Sequence, residues 1–171
     1  MLRNLELKDA KAMYETICDT NVNAYMNIDG SKSSIENCEN YIINANANSN
    51  FKHFAIVDEK DNWVGTISLK NIDFDVKQAE YAIITSSKVH GKGYALTATK
   101  ELLDYAFNKL GLNRVYLDVV KENVRANKFY LKCGFKLEGT FRQAILIKGK
   151  VYDLNWYSIL KSDYEEGVKI D

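Results

Sequence analysis

Val89-His90-Gly91-Lys92-Gly93-Tyr94-Ala95 follows a short apolar run and opens a long amphipathic pattern. Two glycines one residue apart at such a junction mark a backbone that must come close to something. A helix N-terminus carries unpaired N–H groups and a partial positive charge. The partner expected there is an anion, phosphate first. Taken alone, Gly-x-Gly fits an ordinary strand-to-helix turn equally well, so the flanking segments decide.

Downstream, Leu96, Thr99, Leu103, Ala106, Phe107 and Leu110 form one stripe at helical spacing, and Gly111 is the expected C-cap. Asn113 to Val120 is β-branched and aromatic and reads as a strand. Upstream, Ala79 to Thr85 is strand-like, so strand, glycine loop, helix and strand make one β-α-β unit with a parallel pair. Before it, Phe54 to Val57 and Trp63 to Asn71 read as an antiparallel meander, with Gly65 marking a bulge. Two helices precede the meander. One follows Asp9, with Ala10, Met13, Tyr14 and Ile17 on one face. The other follows a Ser33/Glu36 capping pair, with Ile35, Cys38, Tyr41, Ile42 and Ala45 on one face. Leu2 to Leu7 is expected as a short strand. The polar stretch from Asp19 to Lys32 is expected as a loop, whose Tyr25, Met26 and Ile28 pack locally or form a lid on the substrate side. After Val120 a short helix runs from about Asn123 to Lys132 and stops at Gly134. Phe135 to Ile147 and Val151 to Leu160 then form a hairpin around Lys148-Gly149-Lys150. The charged tail after Tyr164 is expected to fray.

Hydrophobic residues make up 46% of the 171 and charged residues 27%, a composition suited to one α/β domain over 1–171 with a real core. Lys+Arg and Asp+Glu are both 23. That balance argues against a dedicated nucleic-acid binder, which carries a basic surplus. The first residues lack a basic, apolar, small-residue pattern, and no apolar run approaches a membrane span. Cys18, Cys38 and Cys133 are an odd set at irregular spacing. They fit reduced thiols in the cytoplasm rather than a disulfide or metal framework.

Chemistry gathers in four places: the glycine loop, Glu80 to Thr85 before it, Glu122 to Tyr130, and Cys133-Gly134-Phe135 with the hairpin after it. Asn123, Ala126, Asn127 and Tyr130 stand at i, i+3, i+4 and i+7 of a helix and share one face. With these residues together the chain resembles the GCN5-related N-acetyltransferases (GNAT). Their phosphate loop reads Gln/Arg-x-x-Gly-x-Gly/Ala; in His90-Gly91-Lys92-Gly93-Tyr94-Ala95 the last three positions fit, and His90 departs from the usual Gln or Arg. Asn123-x-x-Ala126-x-x-x-Tyr130 and Gly134-Phe135 match as well. Glu138-Gly139, Arg142, Gly149, Asp153 and Tyr157 to Leu160 look like the branch with ribosomal-protein and spermidine acetyltransferases. The resemblance covers nearly the whole chain, most firmly Glu80 to Leu160.

The resemblance implies a GNAT fold: a mixed, mostly antiparallel sheet with a central splayed parallel pair and about four helices. It implies acetyl-CoA as cosubstrate, with no metal. The pyrophosphate would rest on the backbone of Gly91, Lys92, Gly93, Tyr94 and Ala95, with glycine where a Cβ would block the approach. His90 would touch phosphate or sit exposed beside the loop. The pantetheine arm would lie between the splayed strands, pairing with Ile83, Ile84 and Thr85 like an added strand. An N–H near Ile83 would face the thioester oxygen. Tyr130 is the candidate general acid for the leaving thiolate, or a residue that merely packs. Glu80 is the candidate base, directly or through water, or a salt-bridged carboxylate. Asn123 and Asn127 would bond the pantetheine or tie the helix to the strand before it. Cys133 could in principle carry an acetyl group, but a buried structural thiol is the stronger expectation. His53 has no partner that sequence can name.

The acceptor is expected to be a primary amine: an amino sugar, a polyamine or a protein N-terminus. Its pocket would come from Tyr25 to Ile28, parts of 33–41, and Phe141 to Trp156. A spermidine site needs carboxylates; Asp29, Glu36 and Glu39 are available, but this acidity is modest. Two other classes remain at this stage: a non-catalytic acetyl-CoA sensor or regulatory module, and a nucleotide phosphate binder. The second lacks the Gly-Lys-Ser/Thr loop ending. A homodimer is expected by family analogy, without nucleic acid or membrane.

Overall fold

The computed structural model describes residues 1–28, 32–47 and 50–166. Seven strands form one sheet in the order β1-β2-β3-β4-β5-β7-β6. They are β1 (Leu2–Asn4), β2 (Lys52–Val57), β3 (Trp63–Asp73), β4 (Gln78–Thr85), β5 (Arg114–Val120), β6 (Lys136–Ile147) and β7 (Lys150–Leu160). Only β4 and β5 are parallel; every other neighbouring pair is antiparallel. Among the described residues six α-helices accompany them: α1 (Ala10–Cys18), α2 (Thr20–Asn23), α3 (Ile35–Ala47), α4 (Tyr94–Asp104), α5 (Val124–Lys132) and α6 (Lys161–Glu165).

The sheet is covered on both faces, and strand alternation sorts the cores. Ile56, Ile67, Leu69, Tyr81, Val115 and Leu117 face α4 and α5, where Leu102, Leu103, Phe107 and Phe135 complete the larger core. Ala55 and Val57, on the opposite pleat of β2, face α1 and α3 and pack with Leu5, Met13, Cys38 and Ile42. On that second face the helices stop at β3. On the adjoining surface of β4 and β5, Glu80, Ala82 and Tyr116 are half-buried and Asp118 is exposed.

The parallel pair is short. Its register runs Gln78↔Arg114, Ala79↔Val115 and Glu80↔Tyr116, and then the strands part. Beyond Glu80, β4 keeps its partner on the β3 side through Thr85↔Gly65 and loses it on the β5 side. This gap is the splay expected from sequence. Gly65 holds the other side tight. A Cβ there would lie 2.6 Å from Ile84 O, so only glycine lets β3 and β4 close at this register. The bulge expected nearby is present, between Ile56/Val57 and their β3 partners.

Several expectations change in detail. The 19–32 stretch is not all loop, because Thr20–Asn23 forms α2, capped by Asp19 accepting from Asn21 N–H. Four residues hold too little periodicity to announce a helix. The α3 cap is Ser34, whose Oγ accepts from Asn37 N–H at 3.1 Å; the Ser33/Glu36 pair begins one residue early. Ile35 and Tyr41, read as inward-facing, are 41% and 40% exposed. The α4 pattern continues past Asp104 as a wider π turn, Tyr105–Lys109, before Gly111 at φ +68° ends it. Between β7 and the tail the chain forms a further short helix, α6. α6 is anchored by Asp163, which accepts from Leu160 N–H and pairs with Lys136, and Tyr164 packs on Phe107. The remaining tail, 167–171, lies outside the described residues. The hairpin turn is as expected: Lys148 and Gly149 both have positive φ, the two-residue turn whose twist matches the strands.

Candidate active site

The glycine loop stands where β4 ends. Ser86 N–H still bonds Val64 O, a short 3₁₀ turn follows over Ser87–Val89, and α4 begins at Tyr94. Gly91 and Gly93 adopt φ of +78° and +86°, with Gly93 as the N-cap of α4. A Cβ on either would meet no protein atom within 4 Å. The reason for glycine is thus the left-handed backbone, not crowding by the protein. The space beside both residues is open, and a ligand can use it. Lys92 N–H is committed to Val89 O, against the expectation that it joins the cradle. Among the described residues, the N–H groups of Gly91, Gly93, Tyr94 and Ala95 have no acceptor. Unpaired N–H groups at a helix N-terminus are the geometry that anions favour.

The loop forms one end of a cavity of about 420 Å³. Ile83, Ile84 and Thr85 of β4 line it where β5 has drawn away, and Val119 lines it from β5. Its apolar wall is Leu96 of α4 with Ala126 and Phe129 of α5. His90, Gly91, Gly93, Ala95, Asn123 and Tyr130 also border it, as sequence reasoning expected. The side chains of Glu80, Lys92, Tyr94 and Asn127 do not.

Two basic residues that sequence reasoning passed over, Arg125 and Lys132, line the cavity as well. Arg125 sits in the first turn of α5 and donates from Nη1 to His90 Nδ1 at 2.7 Å. A guanidinium is always a donor, so Nδ1 must accept and the ring is neutral. Burial and the Arg125 charge both hold the His90 pKa below its ordinary value, which agrees. His90 is therefore neither free beside the loop nor a cation for phosphate; it orients Arg125.

Tyr25 and Met26, read as local packing or a lid on the substrate side, border this same cavity together with Val22. The segment is strapped across its mouth. Asp19 accepts from Ser87 at the glycine loop, and Tyr25 Oη donates to Glu122 O at 3.2 Å before α5. Lys148 of the hairpin turn donates to Asn23 Oδ1 at 2.9 Å. The Ser87 contact holds the Asp19 carboxyl below the usual carboxylate range.

Tyr130 is 8% exposed, with its ring packed among Tyr81, Phe129, Phe135 and Tyr157. No hydrogen bond holds its hydroxyl among the described residues. Burial first, then Cys133 and Asp118, push the phenol well above its ordinary pKa, so it stays protonated at the cavity. Cys133 is wholly buried and its thiol is pushed up to about 12, which suits a structural thiol and not an acyl carrier.

The two asparagines divide the junction work. Asn123 Oδ1 accepts from Ala126 N–H as the α5 cap, although the residue borders the cavity. Asn127 Nδ2 donates to the carbonyls of Val120, Lys121 and Asn123, and its Oδ1 accepts from Asn155 Nδ2 and Tyr157 Oη. Nothing is left on that amide for a ligand, so the geometry answers the open choice for Asn127 in favour of the junction.

A slit between splayed strands, an open helix N-terminus at one end and a protonated phenol beside it match a known architecture. The Acetyltransferase (GNAT) domain family model covers residues 1–136.

The chain belongs to the GNAT acetyltransferase family.

Spermidine N(1)-acetyltransferase of Vibrio cholerae is 32% identical over 165 residues, spanning 95% of this chain and 94% of that protein. The putative ribosomal N-acetyltransferase YdaF of Bacillus subtilis is 35% identical over 101 residues, 59% of this chain and 55% of that protein. A solved structure of the Vibrio cholerae spermidine N-acetyltransferase in complex with CoA and spermine has a TM-score of 0.87 at 30% identity, over 96% of this chain and 97% of that one. This GNAT protein is thus an enzyme that acetylates an amine with acetyl-CoA as donor. Among its described residues no helix is long and apolar enough to cross a membrane, and no three acidic, His or Cys side chains are grouped to hold a metal.

The opposite face of the GNAT slit carries charge. Glu80, the sequence candidate for the base, has both oxygens engaged: Lys70 Nζ at 3.0 Å and Asn71 Nδ2 at 2.8 Å. Asp118 lies further along β5 on the same face. His53, nameless from sequence, joins Tyr41 Oη and Ser68 Oγ through Nδ1 beside this surface, at 2.9 and 2.7 Å. Burial and the Lys70 charge lower its pKa. Of the carboxylates considered for a polyamine, Asp29 lies outside the described residues, Glu36 is exposed on α3 and Glu39 is half-buried there.

One test belongs to the glycine loop alone. Gly93→Ala puts a Cβ at φ +86° and into the open space beside the cradle. The strain costs about 1–2 kcal/mol, so the melting temperature drops a few degrees. Acetyl-CoA affinity measured by calorimetry drops roughly tenfold or more, because the ligand backbone must approach there. Unchanged affinity would mean that the pyrophosphate lies elsewhere.

Proposed function

We propose that the acceptor is a polyamine of the spermidine class, acetylated at a terminal primary amine within a single domain spanning 1–171. The observation that carries this reading is the full-length similarity to a spermidine N(1)-acetyltransferase, against a ribosomal relative matched over little more than half the chain. The carboxylates of Glu80 and Asp118 on the open face of β4 and β5 agree with a cationic acceptor. They supply acidity that the sequence reading sought in Asp29, Glu36 and Glu39.

In this reading the free N–H groups of Gly91, Gly93, Tyr94 and Ala95 hold the pyrophosphate of acetyl-CoA. Arg125 and Lys132 add positive charge. Ile83, Ile84 and Thr85 offer the unpaired edge of β4 to the pantetheine amides. Tyr130 supplies the proton to the departing thiolate; burial keeps the phenol protonated until that thiolate forms. Glu80 holds Lys70 and shapes the charge of the acceptor side. No metal takes part. The three cysteines, none in a disulfide among the described residues, fit a cytoplasmic protein. Self-association belongs to the proposal too: a Vibrio cholerae relative is described as dodecameric, and here β6 ends the sheet with Leu137, Phe141 and Leu146 exposed.

An acceptor screen that follows thiol release tests the reading. Spermidine and spermine are expected to give a kcat/KM at least about tenfold above amino sugars and peptides with free N-termini, the effect of one or two charge-assisted contacts. A peptide that outruns both polyamines would assign the enzyme to the ribosomal type of acceptor instead.

A further inference from the structure

We propose that Asp118, and not Glu80, is the carboxylate that takes the proton from the acceptor ammonium. The inference rests on the amine-acetyltransferase activity and deepens it.

The argument begins with strand alternation. Val119 points into the donor cavity, so its neighbour Asp118 points to the other face of the sheet. It lies two residues past Tyr116, the last β5 residue paired with β4. Asp118 is therefore at the slit itself, where the donor cavity and the open face meet. Carrying the β4–β5 register two residues past Glu80↔Tyr116 brings Ala82 level with Asp118 across the gap. A methyl group there leaves room for an incoming amine. On its other side Asp118 is paired in register with Trp156, whose indole stacks on Tyr116 and packs against Phe141 to make one wall.

Availability separates the two carboxylates. Glu80 would have to surrender Lys70 and Asn71 before it could take a proton. Asp118 has no ion pair and no side-chain hydrogen bond among the described residues; its carboxylate meets only its own backbone N–H. The titratable and charged groups that bear on it are Glu80 from β4, Lys70 from β3, Tyr116 from β5 and Tyr130 from α5. Desolvation, and then the Glu80 charge, raise its pKa, which makes it a stronger base than an ordinary aspartate, while its side chain stays exposed to an incoming amine. Asp118 also adds to the raised pKa of Tyr130, so the base and the acid sense each other across the slit.

The step balances. Asp118 takes one proton from the ammonium and frees the nitrogen lone pair. That pair forms the N–C bond to the thioester carbonyl carbon, and the C–S bond breaks with its electrons on sulfur. Tyr130 gives its phenolic proton to sulfur. The second proton shed by nitrogen restores the phenol, and the proton on Asp118 passes to solvent.

The test is the pH profile of kcat/KM for Asp118→Asn beside Glu80→Gln, using spermidine. With the base present the profile is flat between the pKa of Asp118 and that of the amine. Without it only free amine reacts, so Asp118→Asn is expected to rise about tenfold per pH unit and to be at least about 100-fold slower at pH 7. Acetyl-CoA affinity and melting temperature stay near wild type, and Asp118→Glu restores part of the rate. A flat profile in Asp118→Asn, a change confined to KM, or the rising profile in Glu80→Gln instead would overturn the assignment. Failure of the wild-type protein to acetylate spermidine would count against the acceptor reading, and it is read before any variant is made.

Discussion

Tyr130→Phe is expected to lower kcat by about 100-fold or more while leaving acetyl-CoA affinity within a few-fold of wild type. The structure makes this a clean substitution. The ring fills an aromatic cluster of Tyr81, Phe129, Phe135 and Tyr157, and phenylalanine fills the same space. The hydroxyl has no protein partner among the described residues, so removing it strands no donor or acceptor. The melting temperature should barely move. Loss of rate in a well-folded variant that still binds the donor then reports on proton delivery alone. Rapid-quench measurement of the acetyl-transfer step checks it, since slow product release could mask a change in kcat. Turnover equal to wild type would remove Tyr130 from the acid role and leave it as packing.

Asn127→Ala should behave in the opposite way, costing stability rather than chemistry. Its amide ties the carbonyls of Val120, Lys121 and Asn123 to the side chains of Asn155 and Tyr157. Truncation leaves several partly buried polar groups without partners, at a cost of about 3 kcal/mol. For a chain of this size that is a fall of roughly 6–12 °C in melting temperature. Acetyl-CoA affinity, measured well below the transition, should stay within a few-fold of wild type. A large loss of affinity with an unchanged melting temperature would return Asn127 to the coenzyme.

These two residues show how far the chain can be read without coordinates. Tyr130 and Asn127 stand three residues apart on one helix face, and spacing treats them alike. What separates them is what lies beyond the helix. Tyr130 meets the cavity. Asn127 meets β7, and no local signal announces that Asn155 and Tyr157 will arrive from the far end of the chain. The same holds at the loop. Gly91 and Gly93 are legible because left-handed backbone demands glycine at those points. The partnership of Arg125 with His90 joins residues 35 apart, and sequence carries no mark of it. Glu80 was legible as a carboxylate beside the slit. Its engagement by Lys70 across the β3–β4 pair is a matter of register. Tyr25 and Met26 were legible as apolar residues in a polar stretch, but which cavity they cover depends on three anchors from three other segments.

The sequence by itself determined the order of elements, the parallel β4–β5 unit, the anion-binding helix onset at Gly91 to Ala95 and the family pattern ending at Tyr130. Each of these rests on local periodicity, on backbone conformations that only glycine adopts easily, or on short spacings along one helix. The tertiary structure decided where the parallel pair stops, which carboxylate stands free at that gap, and which polar side chains are already spent on holding the fold. Those outcomes depend on contacts between residues far apart in the chain, and a one-residue change in register would reverse them.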